Sequence, residues 1–199
     1  MPLRSSTRPL IGTAFAITEQ HVTGNSDSFL NILQRGFMDA IELLVRQHRE
    51  MEKSMTQVLG TPDAAATKTL FAEVADELTM HITSEEQIFY PAVRAKRTED
   101  ILLESLEEHL SLKRLVADLL LLEPSDQTFE PKFKVLKEQT EHHHKEEEEH
   151  LFPKVRKLLD APQREALGRE MLALQQTLGK QKEPRETVLS QTDEAAPLT

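Results

Sequence analysis

The chain reads as all-α: an up-down-up-down four-helix bundle with an additional C-terminal helix and flexible termini. Three observations predict this. Val, Ile, Tyr and Trp are few beside Leu, Ala, Glu, Gln and Lys in its 199 residues, which include 6 glycines, no tryptophan and one tyrosine, a composition that favours helix over sheet. Apolar residues recur at alternating three- and four-residue steps in four long stretches, as one face of a helix requires. The links between those stretches are short and marked by Gly and Pro, so successive helices run antiparallel.

Residues 1–25 hold Pro2, Pro9, Ser5, Ser6, Thr7 and Gly12 without a sustained period and read as a flexible arm, with His21 solvated in it. The bundle occupies residues 26–160. Its first helix runs from about Ser28 to Leu59 on the stripe Phe37, Ile41, Leu44, His48, Met51, Met55, Val58. Gly60 stops it, and Thr61-Pro62 supplies the cap and first position of the next. Helix two, to about Lys96, carries Phe71, Val74, Leu78, His81, Glu85, Ile88 and Ala92, with a kink or early stop near Phe89 and Tyr90 because Pro91 has no N–H. Thr98 caps helix three, about Glu99 to Leu122, on Leu102, Leu106, His109, Lys113, Val116 and Leu120. Helix four, about Pro131 to Leu159, carries Phe133, Leu136, Thr140, His143, Glu147 and Leu151. Residues 161–182 form a weaker accessory helix that covers the bundle, and 183–199 read as a disordered tail.

Charge and composition exclude several functions. A net charge of -10 speaks against a nucleic-acid partner, since phosphate binding needs a basic surface. No apolar run approaches the length of a membrane span, and the N-terminal apolar stretch is too short for a signal peptide. Without cysteine there is no thiolate metal site or iron–sulfur cluster, and the cytoplasm is the default compartment. No Ser-His-Asp set, phosphate-cradling Gly loop or nucleotide fingerprint offers a competing site.

What remains is a polar constellation on the inner stripes. Sliding the sequence by 62 positions lays His81, Glu85, Glu86, Pro91, Val93 and Arg94 on His143, Glu147, Glu148, Pro153, Val155 and Arg156. A His-x-x-x-Glu pair thus occurs twice, and positions four apart share a helix face, so each pair can close on one point. His48 and His81 are 33 positions apart and His109 and His143 34, as two related hairpins require. His48, His81, Glu85, His109, His143 and Glu147 are the candidate metal ligands. Burying four imidazoles and two carboxylates uncompensated costs several kcal/mol for each charged group, which a cation removes. Spacing alone does not set the helix-four register, because His142/Glu146, His143/Glu147 and His144/Glu148 all fit; the proline-anchored repeat selects His143/Glu147. Glu141, His142, Lys145, Glu146 and Glu149 read as a solvated charged face, whereas His150 falls one turn beyond Glu147. Imidazole and carboxylate without sulfur suit Fe, Mn, Co or Zn. With two irons, each ion takes two histidines and shares both carboxylates, leaving an open position for dioxygen or peroxide.

At these residues the chain resembles the hemerythrin-like family, the HHE cation-binding domains, over about 37–160. The resemblance is carried by Asp39-Ala40-Ile41-Glu42-Leu43-Leu44 with Gln47-His48-Arg49-Glu50, and by His81-Ile82-Thr83-Ser84-Glu85-Glu86 with Phe89-Tyr90-Pro91. Glu108-His109 and His143-His144-Lys145-Glu146-Glu147 with Leu151-Phe152-Pro153 complete it. It implies two non-haem irons of the Fe–O–Fe type, bridged by Glu85 and Glu147, with His48, His81, His109 and His143 as terminal ligands. Oxygen-carrying members have a second histidine four residues after that of helix three, where this chain has Lys113. Four histidines leave both irons accessible and point to redox chemistry or sensing of dioxygen, peroxide or nitric oxide rather than oxygen transport, with His150 or His144 as a possible fifth imidazole. Members that repair iron–sulfur centres carry a cysteine-bearing segment absent from this sequence. Glu86 and Tyr90 lie near the centre as candidate proton donors. Lys113 either favours a bound peroxide or reaches outward.

Two rivals stand beside this reading. Ferritin-like iron storage or oxidation uses Glu-x-x-His on two different helices, whereas here that spacing occurs at Glu141/His144 and Glu147/His150, both on helix four. A structural or interaction bundle would hold zinc or no metal.

Overall fold

The structure, a computed structural model, describes residues 38–181 and 183–198. Five helices account for most of them. Helix α1 spans Ala40–Gly60, α2 Ala64–Ser84, α3 Glu99–Leu120, α4 Phe129–Glu146 and α5 Ala161–Gly179. Two of them continue beyond those bounds: α2 through a π turn, Glu85–Phe89, into Tyr90–Val93, and α4 through a π turn, Glu147–Leu151, into Phe152–Leu158. No strand occurs among the described residues, and none of their helices is long and apolar enough to cross a membrane.

Local chemistry sets the ends. Asp39 begins α1 with a capping box: its carboxylate accepts from the Glu42 N–H at 3.0 Å, and its own N–H donates to the Glu42 side chain at 3.4 Å. The start expected near Ser28, Phe37 of the first stripe, His21 and the N-terminal arm lie outside the described residues.

 Within α1 the described part of that stripe, from Ile41 to Val58, is buried as read. Asp63, not Thr61, caps α2, accepting from the Ala66 N–H at 2.7 Å, while Thr61 closes α1. Thr98 does occupy the cap position of α3, but its hydroxyl turns back to the Val93 and Ala95 carbonyls, both at 2.9 Å, and caps nothing in the helix. Asp160 and Gln163 repeat the capping box at the start of α5.

The helices pack around a square, α1 beside α2 and α4, and α3 beside the same two. Their apolar stripes form two clusters. One gathers Met51, Met55, Phe71, Leu78, Val116, Phe133 and Leu136; the other gathers Ile41, Leu44, Phe89, Tyr90, Leu102, Leu106 and Val155. Full burial of each such side chain stabilises the fold by about 1.5–3 kcal/mol. In α1, α3 and α4 the histidine lies between the residues given to one cluster and those given to the other, and in α2 His81 and Glu85 flank Ile82 at the same boundary, so a polar layer separates the clusters.

Helix α5 lies against α1 and α2. Gly168 permits the contact: a Cβ there would meet the Met38 carbonyl oxygen at 2.6 Å and the Ala40 nitrogen at 2.9 Å. Arg164 reinforces it by donating to the Asp39 carboxylate at 2.9 Å. Beyond α5 the structure departs from the disordered tail expected for 183–199. Pro184–Ser190 is a 3-10 helix packed against α2 and α3, with Val188 buried and the Arg185 guanidinium 2.7 Å from Asp76. Arg114 and Arg94 then hold the Thr192 and Leu198 carbonyls at 2.8 and 3.0 Å. A polar composition hid these few anchors.

Candidate metal centre

Each of the four bundle helices delivers polar side chains to the layer between the clusters. His48 comes from α1, His81 from α2, His109 from α3, and His143 and His144 from α4; Glu85 and Glu147 open the two π turns. All seven are buried. The six residues read from the sequence therefore converge, and His144 joins them.

The π turns follow from the prolines. Pro91 and Pro153 cannot donate, and each ring crowds the carbonyl four residues back. The chain widens instead of stopping: the Tyr90 N–H bonds the Glu85 carbonyl and the Phe152 N–H the Glu147 carbonyl, each five residues back. The kink expected near Phe89 and Tyr90 is thus a π turn within a continuing helix.

The carboxylates lie between imidazoles from different helix pairs. A Glu85 oxygen is 3.3 Å from His81 Nε2 and 3.5 Å from His109 Nε2. A Glu147 oxygen is 3.4 Å from His48 Nε2 and 3.9 Å from His143 Nε2. His109 and His143 bring their Nε2 atoms within 2.9 Å of each other.

The outward nitrogens explain why Nε2 faces inward. His48 Nδ1 is 2.9 Å from Glu148, His81 Nδ1 3.0 Å from the Gln47 side-chain oxygen, His109 Nδ1 3.2 Å from Glu86 and His143 Nδ1 2.7 Å from Glu108. Each of those oxygens accepts an Nδ1–H, which leaves the Nε2 lone pair directed at the centre, the arrangement of a ligating histidine. Gln47 is itself fixed by α5, exchanging amide hydrogen bonds of 2.7 and 3.2 Å with Gln175. Glu86 is no solvated carboxylate: Lys113, buried rather than reaching outward, donates to both its oxygens at 2.8 and 2.7 Å. Tyr90 is a packed aromatic whose hydroxyl also enters the site, donating to Glu147 at 3.0 Å and lying 3.2 Å from His109 Nε2.

The electrostatics call for positive charge at the centre. Burial, then the neighbouring Glu147, pushes the Glu85 carboxyl well above its usual range. Burial also disfavours an ionised Glu147, but His143, His48 and His81 outweigh it and pull that carboxyl down. Burial, then His48, holds His81 well below the usual imidazole range. His48 Nε2, His81 Nε2, His144 Nε2, both Glu85 oxygens and one Glu147 oxygen are buried without a hydrogen-bond partner. Native structures rarely leave such atoms orphaned. The donor atoms of His48, His81, Glu85 and Glu147 lie within 4.8 Å of one another, as do those of Glu85, His109 and His143 and those of His48, His81 and His144. These nitrogen and oxygen donors fit a divalent cation such as iron, manganese or zinc.

Of the remaining helix-four residues, His142, Lys145 and Glu149 are exposed. His150 is exposed as well and pairs with Glu146 at 3.4 Å. The wider π turn carries position 150 off the inner face, so its place one turn beyond Glu147 does not bring it to the site.

Comparison with known proteins agrees with this fold. A crystal structure of a hemerythrin HHE cation binding domain-containing protein from Mycobacterium kansasii superposes with a TM-score of 0.63 at 23% identity, covering 81% of this chain and 97% of that one. A DNA nickase from Nostoc sp. is 27% identical over 148 residues; the match covers 72% of this chain but 42% of that protein, so this chain spans less than half of the relative's length. The family model of the hemerythrin HHE cation binding domain matches residues 39–155, which include every helix that contributes to the site. With that match across more than half its length, the chain belongs to the hemerythrin HHE cation-binding domain family.

Proposed function

We propose that this chain is a non-haem di-iron protein that binds or senses dioxygen, peroxide or nitric oxide, or performs redox chemistry with them, in the cytoplasm. The observation that carries this reading is the placement of Glu85 and Glu147, each between an imidazole of the α1/α2 pair and one of the α3/α4 pair. Two buried carboxylates shared in this way suit two cations rather than one. His48, His81, His109 and His143 would complete the ligand set. Iron bound there supplies one-electron redox chemistry and affinity for small oxygen and nitrogen ligands.

The chain's own groups prepare the site. Glu148, Gln47, Glu86 and Glu108 hold the four imidazoles in one tautomer. Burial, then Glu147 and Glu85, pushes the Tyr90 phenol well above its usual range, so it keeps its proton and presents it to Glu147. Lys113 neutralises Glu86 and thereby steadies His109. We assign no DNA nicking to this chain, which spans 42% of the Nostoc relative and carries a net charge of -10.

Metal analysis and the visible spectrum of protein produced with added iron test the reading, beside His81→Ala and Glu147→Ala. About two irons per chain, as a two-metal site requires, with near-ultraviolet absorption lost in both variants, is the expected result. Zinc or no metal, unchanged by the substitutions, would overturn it.

A further inference from the structure

We propose that residues 184–198 form a strap across the α2/α3 side of the polar layer, and that its release opens the centre at His109. What the strap guards follows from the metal-binding reading above; that it covers Lys113 does not depend on that reading.

The side it crosses needs a cover. Of the four sides of the square, the one between α2 and α3 has the sparsest helix-to-helix contact, and the 3-10 helix Pro184–Ser190 packs against both helices there. Glu86, from the π turn of α2, meets Lys113 of α3 at this seam, their side chains 8% and 6% exposed, and a Glu86 oxygen lies 3.2 Å from His109 Nδ1. Pairing explains how the two charges tolerate burial. The helices, which barely meet on this side, do not by themselves explain what keeps water off the pair.

The fastenings of the segment set its course. At one end Val188 joins the cluster of Phe71 and Val116, and Arg185 meets Asp76. Arg114 then donates to the Thr192 and Asp193 carbonyls at 2.8 and 3.0 Å. At the far end Ala195, Ala196 and Leu198 pack on the other cluster, and Arg94 donates to the Leu198 carbonyl at 3.0 Å. Along α2 and its extension Glu86 falls between Asp76 and Arg94; along α3 Lys113 falls between Arg114 and Glu99, the residue that pairs with Arg94. A segment fixed at those points crosses the level of the Glu86–Lys113 pair.

It is also held lightly. Pro184 and Val188 are its buried side chains, Leu189 is 43% exposed, and the contacts of Arg114 and Arg94 lie at the surface. Glu183, just before it, is the one non-glycine residue among the described residues with a positive φ, 57°. That left-handed conformation is unfavourable for a residue with a Cβ and persists only while the surrounding structure imposes it. Few buried contacts and a strained entry mark a segment that opens without unfolding the helices. Opening bares Lys113 and Glu86, loosens the carboxylate that fixes His109, and admits solvent and small molecules to a cation held there.

Amine acylation of the full chain, read residue by residue by mass spectrometry, and chelator extraction of iron from loaded protein test this. In metal-free wild type Lys113 should react far more slowly than the exposed Lys145. Val188→Asp should raise the Lys113 rate at least about 10-fold, the least that loss of a buried apolar anchor does to an opening equilibrium. Arg114→Gln, which leaves the apolar clusters intact, should raise it as well. Loaded with iron, both variants should lose it to the chelator faster than wild type. Val188→Ile and Leu189→Asp should match wild type in both readouts, with circular dichroism showing that the helices persist in all four. Lys113 rates unchanged in Val188→Asp and Arg114→Gln would overturn the strap. A faster Lys113 with unaltered iron extraction would overturn its guarding of the centre while leaving the di-iron reading intact. Failure of wild type to take up iron would overturn that reading and the guarding role together, with the Lys113 rates still deciding whether the segment covers the seam.

Discussion

Glu85 and Glu147, 62 positions apart, each begin a π turn, and each sets a carboxylate oxygen between imidazoles of different helix pairs. The two halves of the bundle solve one problem by one local device. A proline six residues after each glutamate prevents the ordinary hydrogen-bond pattern from closing.

The prolines should therefore matter to the site although they do not touch it. Pro91→Ala or Pro153→Ala permits an ordinary helical turn, which rotates the neighbouring carboxylate. The expected outcome is unchanged helicity by circular dichroism with iron affinity lowered about 10-fold, the scale on which outer-shell changes act, read by competition with a chelator.

Gln175 should couple α5 to the metal. It holds the Gln47 amide, whose oxygen faces His81 Nδ1, and also donates to the Ser84 hydroxyl at 2.8 Å. Gln175→Ala leaves those groups short of a buried partner. A loss of about 1–3 kcal/mol in denaturant unfolding is expected, with iron affinity lowered by about 10-fold or more. Unaltered metal binding in the variant would reduce α5 to a cover.

Glu77 should make stability fall with pH. Burial, followed by the nearby Glu50, Glu73 and Asp76, raises its carboxyl from 4.5 to about 7. Between those values the folded chain keeps a proton that the unfolded chain has lost, so stability declines as pH rises through that window. The contribution is whole below 4.5 and gone above about 7. Glu77→Gln should gain about 1–2 kcal/mol over wild type at pH 8 and little at pH 4.5, allowing for about 1.4 kcal/mol per pKa unit and solvent screening. Paired melts at the two pH values measure this.

Much of the fold was legible because inner stripes announce themselves by period, and His48, His81, His109 and His143 interrupt those stripes at matching depths. The proline-anchored repeat identified Glu85 and Glu147 for the same reason. His144 could be raised as a candidate but not chosen, because a single stripe marks one inward position per turn while α4 faces two neighbours. Glu108, Glu148 and Gln47 were not recognised as imidazole partners, since an outward nitrogen's acceptor comes from whichever helix packs beside it. Gln175 depends on where α5 docks, which the close approach at Gly168 decides. The tail's order rests on Val188 and the Arg185–Asp76 pair, too few residues to give a period.

The polar layer that parts the two apolar clusters also bears on cooperativity. Each half alone is small for an independent core, and without a cation the orphaned donors between them favour separation rather than cohesion. Metal-free protein should accordingly unfold in two steps, with amide exchange faster in one half than in the other. Bound metal should merge them into a single transition, so that the chain's integrity reports whether its centre is filled.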